Sequence, residues 1–167
     1  MQKTNYSKGY SVVELVIYVT LFILISVVVI QSLIFVMKTY ANARSFRTLQ
    51  QNGELVMERI TREIRQANTV SVAGSVFGSS PGTLTISGTD SGGTPYTDVF
   101  SVASGALQLA VNGVISNLSS SEVTVSNLTF WNISTAGSEA VRVQLSLTTT
   151  NIPVVTKSFY TTVILRE

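Results

Sequence analysis

Apolar positions along this chain follow three successive patterns. Residues 15–37 carry no charged side chain, and their few polar members are Tyr18, Thr20, Ser26, Gln31 and Ser32. At about 1.5 Å of rise per residue, a helix of that length extends roughly 35 Å, enough to cross the ~30 Å hydrocarbon core of a bilayer. Further on, apolar and small residues recur at Phe46, Leu49, Gly53, Val56, Ile60, Ile64 and Ala67, the 3–4 spacing of one helical stripe. Arg59, Arg62 and Arg65 alternate with Glu58 and Glu63, which are assigned to the rest of the helix surface. No proline interrupts residues 10–67, so one nearly continuous helix is predicted, about 87 Å long at 1.5 Å per residue. Gly53 weakens its middle by up to about 1 kcal/mol relative to alanine, which a packed stripe outweighs. The stripe is expected to cover the core of the domain that follows.

After Asn68 the period drops from 3.6 to 2. Alternation marks strands at residues 83–87, 97–102, 106–111, 122–131, 141–148 and, more loosely, 157–165. Asn112-Gly113 between two such runs signals a hairpin with a type I′ turn. Glycine, serine and proline fill the gaps at 78–82 and 88–95. The predicted fold class is α+β: a long N-terminal helix, its second half packed on an antiparallel sheet of about five to seven strands.

Composition narrows the chemistry. With 11 Lys+Arg against 9 Asp+Glu the net charge is +2, too small for nucleic-acid binding through bulk basicity. Charged residues make up 12% of the chain, about half the usual share, and the mean hydropathy is +0.37. Cysteine and histidine are both absent, which removes disulfides, thiol nucleophiles, Ser-His-Asp triads and thiolate or imidazole metal sites. No catalytic residue, metal site or cofactor is expected. Asp90 and Asp98 bracket a glycine-rich loop, but two aspartates make a poor hard-cation site, which takes six to eight oxygens, so a solvated loop is favoured. Asn117, Asn127 and Asn132 open N-x-Ser/Thr triplets that are read as chance. Trp131 beside Phe130 reads as core or sheet edge. An enzyme built on carboxylates such as Asp98 and Glu122 would need them to converge in a cleft.

The N-terminus carries the most specific signal. A secretory signal has a 7–15-residue apolar stretch followed by a small-residue cleavage site. Here the apolar run is longer, the small residue precedes it, and a carboxylate stands at its entrance. The segment Lys8-Gly9-Tyr10-Ser11-Val12-Val13-Glu14-Leu15 resembles the class III leader of type IV prepilins and type II secretion pseudopilins. The resemblance implies cleavage between Gly9 and Tyr10 by a membrane-embedded prepilin peptidase and N-methylation of Tyr10. It also implies that Glu14 serves subunit assembly, pairing with the N-terminal ammonium of a neighbouring subunit. The bland alternative for Glu14 is a headgroup-level carboxylate favoured by the helix dipole. Tyr10 and Ser11 replace the commoner Phe and Thr. Ile23 and Gln31 stand where major pilins often carry a glycine and a proline, and the C-terminal cysteine pair of many major pilins is absent. Residues 55–67 look like the helix end of J-type minor pseudopilins and W-type minor pilins.

The resemblance divides the chain into a leader at 1–9, a transmembrane and polymerisation helix at 10–37, the amphipathic half of that helix at 38–67, and an extracytoplasmic β domain at 68–167. It implies a minor pilin or pseudopilin, a structural subunit that helps initiate or cap a pilus or secretion pseudopilus. The implied partners are the prepilin peptidase, other pilin or pseudopilin subunits, an assembly-platform membrane protein and membrane lipid. The implied location is the cytoplasmic membrane, single-pass with a cytoplasmic N-terminus, and the cell surface once assembled. Basic residues flanking the apolar run count the other way, with Lys3 and Lys8 before it and Lys38, Arg44 and Arg47 after. The alternative is a membrane-anchored adhesin or binding domain that does not polymerise.

Overall fold

The structure, a computed structural model, describes residues 11–134 and 138–165. It separates into two compact units, Met1–Tyr40 and Ala41–Glu167. A single helix, α1, runs Val12–Gln66, 55 residues with Glu14 in its first turn and Arg65 in its last. Both charges suit the local sign of the helix dipole. Ser11, just before the first turn, accepts the Leu15 amide through its carbonyl, and at the other end the Ala67 amide closes onto Glu63 O. Asn68 then donates its amide to Ser87 O, turning the chain into the first strand.

Eight strands follow: β1 Thr69–Val70, β2 Leu84–Thr89, β3 Pro95–Ala103, β4 Ala106–Val111, β5 Val114–Asn117, β6 Val123–Asn132, β7 Ala140–Thr149 and β8 Thr156–Ile164. All described pairings are antiparallel and join sequence neighbours. Instead of the one sheet expected, the strands form two, β1–β5 and β6–β8. Loops stitch the two together. Val125 N donates to Gly105 O, Gly78 N to Phe130 O and Gly82 N to Leu128 O, each at 2.8 Å. These bonds engage backbone groups of β6, which also carries a register shift between Val125 and Asn127. The turn signal at Asn112-Gly113 is realised: both residues have positive φ, 49° and 86°, as type I′ requires. Ser104-Gly105 makes an equivalent two-residue turn between β3 and β4, with φ of 52° and 76°.

The core lies where both sheets meet the second half of α1. Leu49, Val56, Ile60 and Ile64 from the helix are buried with Leu84, Ile86, Phe100, Leu107 and Leu109 from the first sheet. Leu128, Phe130, Val143, Leu145 and Leu147 close it from the second. Of the predicted stripe, Leu49, Gly53, Val56, Ile60, Ile64 and Ala67 are buried, but Phe46 is 51% exposed. Ser45 is buried in its place. At about 100° per residue, Ser45 and Phe46 flank Leu49 on opposite sides of the helix, so the stripe drifts to the Ser45 side near its start. A second correction concerns Glu63, which is only 8% exposed and belongs to the packed face, not the outer surface. Gly53 has a steric reason: a Cβ there would overlap the Phe159 ring of β8.

Candidate functional site

In the first unit the apolar residues of α1 are exposed all round. Val12, Leu15, Phe22, Leu24, Val28, Leu33, Phe35 and Met37 are each more than half exposed. Among the described residues α1 is the one helix long and apolar enough to cross a membrane, which makes it a candidate single-pass span. Three of its hydroxyls bond back onto their own helix. Thr20 Oγ1 donates to Val16 O at 2.8 Å, Ser26 Oγ to Phe22 O at 2.8 Å, and Thr39 Oγ1 to Phe35 O at 2.9 Å. Such back-bonding to the i−4 carbonyl lets a polar side chain stand in hydrocarbon.

Glu14 differs in carrying a charge. It accepts one hydrogen bond, from Tyr18 Oη at 3.0 Å one turn further on. A neutral hydroxyl satisfies one lone pair, and among the described residues no cation pairs with the charge. On a membrane helix a bare carboxylate costs about 2.5–3.5 kcal/mol on insertion scales, so a cationic partner or a polar boundary is needed. Gly9 and Tyr10, the expected cleavage and methylation positions, lie outside the described residues.

Asp90 and Asp98 do not come together. Asp90 caps its own loop, its Oδ1 accepting the amides of Gly92 at 2.8 Å and Thr94 at 2.9 Å. Asp98 points into the core face of the first sheet and is 2% exposed. Glu122, on the loop before β6, is exposed. Among the described residues no group of three or more His, Cys, Asp or Glu side chains could hold a metal ion. Of the three N-x-Ser/Thr asparagines, Asn117 and Asn132 are exposed and Asn127 is half-buried; all three accept local hydrogen bonds. Trp131, half-buried in β6, is stacked by the Arg142 guanidinium 5.4 Å from its ring centroid.

One cluster escaped the sequence reading. Asp98 faces Glu63 and Arg59 of α1 and has Tyr96 beside it on the same face of β3. Arg59 Nε lies 2.6 Å from Glu63 Oε1. Burial, reinforced by the Glu63 carboxylate and only partly relieved by Arg59, pushes the Asp98 carboxyl up to about 6 from an ordinary 3.8. The Tyr96 phenol is also raised, by burial first and then by Asp98 and Glu63. The missed signal was parity: Asp98 is two residues from Phe100, so a strand that buries Phe100 buries Asp98 too.

Comparison with models of known protein families, with curated protein sequences and with solved structures returned no match. What the coordinates define is a layout: one long N-terminal helix, apolar in its first part and packed on antiparallel sheets in its second, which is pilin-like.

Proposed function

We propose that this chain is a minor pilin or pseudopilin, a non-enzymatic structural subunit that helps to initiate or cap a type IV pilus or a type II secretion pseudopilus. The observation that carries the reading is the lone carboxylate Glu14 in the first turn of an exposed apolar helix, directly after the leader-like Lys8-Gly9-Tyr10-Ser11. In this reading the prepilin peptidase cuts after Gly9 and the amine of Tyr10 is methylated. The chain stays anchored in the cytoplasmic membrane with the β domain outside. The Glu14 carboxylate then meets the terminal ammonium of a neighbouring subunit as an assembly-platform protein lifts the helix from lipid into the filament. A charge pair in low dielectric sets register well even where desolvation offsets much of its attraction.

The second reading, a membrane-anchored binding domain that never polymerises, is favoured by the Tyr18–Glu14 hydrogen bond, which gives the carboxylate a partner within its own helix. Co-expression with a prepilin peptidase separates processing from anchoring. Intact-mass analysis is expected to show loss of nine residues, leaving Tyr10 first and methylated, with a Gly9→Val variant left uncut. An unprocessed wild-type chain, or a cut after the apolar run, would end the pilin reading.

A further inference from the structure

The Asp98 cluster is built by α1 and β3. It lies entirely within the unit Ala41–Glu167, where residues 59–63 of α1 pack against β3. Glu63 enters from the helix, and Asp98 and Tyr96 enter from the strand. Among the described residues the cation facing them is Arg59, which is ion-paired with Glu63 at 2.6 Å. Among the described residues Asp98 Oδ1, Tyr96 Oη and Arg59 Nε are buried without a hydrogen-bond partner, the last despite its close ion-pair approach to Glu63. The cross-strand neighbours of Asp98 are Ile86 on β2 and Val111 on β4, neither of which offers a donor or a charge. Tyr96 is held in place by close packing, since a Cβ at its partner Gly88 would stand 2.7 Å from its hydroxyl oxygen. Among the described residues the helix–sheet seam therefore holds two carboxyl groups and one guanidinium, a formal net charge of −1, with Asp98 and Glu63 buried and Arg59 and Tyr96 partly exposed.

We infer that Asp98 is a proton-operated latch: the folded domain takes one proton from solvent onto the Asp98 carboxylate, and α1 docks more firmly on the first sheet when that proton is bound. Protonation turns the carboxylate into a neutral acid and removes its repulsion with Glu63. Arg59 then serves Glu63 alone. Loss of the proton leaves an unpaired buried charge at the seam, the arrangement that costs most in a low-dielectric interior.

The direction with pH follows by linkage. The folded carboxyl, at about 6, holds its proton more tightly than the unfolded one at 3.8. Below about 4 both states are protonated and the latch is closed. Between about 4 and 6 the unfolded chain ionises first, so stability falls as pH rises. Above about 6 both are ionised and the loss is complete, on the order of a hundredfold in the unfolding equilibrium constant. Overall stability sums over every ionisable group, so only the difference between wild type and an Asp98 variant isolates this one.

The test uses the full chain in detergent micelles, unfolded with urea at pH 4 and at pH 7.5 and followed by the fluorescence of Trp131, the single tryptophan. Asp98→Asn brings its own unsatisfied amide, but that penalty is the same at both pH values. The expected result is a gain in the variant's stability relative to wild type, on the order of a hundredfold in equilibrium constant, between pH 4 and pH 7.5. A difference between the two proteins that does not change with pH overturns the latch. Should Asp98→Asn fail to fold, the carboxyl-carbon chemical shift of Asp98 in the wild-type chain is followed by NMR. A midpoint near 6 that rises further in Arg59→Gln supports the inference. A midpoint at or below the ordinary aspartate value overturns it.

Discussion

Gly53 sits in the middle of a long helix, where glycine is a poor choice on backbone grounds alone. Replacing it with alanine should gain about 1 kcal/mol of helix propensity if nothing else changes. The structure sets a steric term against that gain. The three nearest ring atoms of Phe159 all fall within 3 Å of the position a Cβ would take. The ring is rigid and its strand neighbour Leu145 is fully buried, so the ring cannot flatten away along the sheet. It must swing outward and give up its contact with the helix. Phe159 is half-buried, so this forfeits about half of the 1.5–3 kcal/mol that burying such a side chain supplies, with about 1 kcal/mol of strain added. The expected net effect of Gly53→Ala is a loss of about 1 kcal/mol. The decisive measurement is a double-mutant cycle. In a Phe159→Ala background the obstacle is gone, and Gly53→Ala should stabilise by about 1 kcal/mol, a reversal of sign. Urea midpoints from Trp131 fluorescence, with m-values compared across the four proteins, read this directly. A gain of about 1 kcal/mol from Gly53→Ala with Phe159 present would refute the packing argument.

Two further outcomes follow from other positions. Gly113 has φ of 86° in the β4–β5 turn, so Gly113→Val should cost about 1–2 kcal/mol in urea unfolding. Glu14→Gln should leave membrane abundance and cleavage unchanged while lowering filament number several-fold in cells that carry only this form; normal incorporation would favour the helix-dipole role for Glu14.

Local signals were legible because their cause is local. The 3.6 and 2 periods and the Asn112-Gly113 turn depend on residues adjacent in the chain, and each appears where the pattern placed it. Strand β1 is two residues long and has no period to detect; its existence depends on Ser87 and Ile86 of β2. Division into two sheets was equally hidden, because the bonds that join them run to β6 from residues 78–82 and Gly105, distant parts of the chain. Phe46 and Ser45 show the limit of a stripe drawn by hydrophobicity alone. The helix face is set by what lies opposite, so a serine within reach of the core is covered while a phenylalanine beside it is not. Glu63 and Asp98 were misplaced or passed over for a related reason. A charge in an amphipathic pattern is assigned outward by default, and only the packed partner shows that it turned in.

Glu14 and Asp98 set the same physical problem in two places. Each is a carboxyl group without an ion-pair partner among the described residues: Glu14 has a tyrosine hydroxyl, and Asp98 Oδ1 has no hydrogen-bond partner. The surroundings decide which remedy is open. Asp98 is sealed between α1 and β3, where no second molecule can reach it, so the smallest cation, a proton, is the one that fits. Glu14 is partly exposed on a turn whose other residues are exposed, so its charge is open to a group carried on another chain. That contrast is why we propose a role in stability for the buried acid and in assembly for the accessible one. It also separates their tests: substitution at Asp98 should change how unfolding depends on pH and leave incorporation alone, whereas substitution at Glu14 should do the reverse.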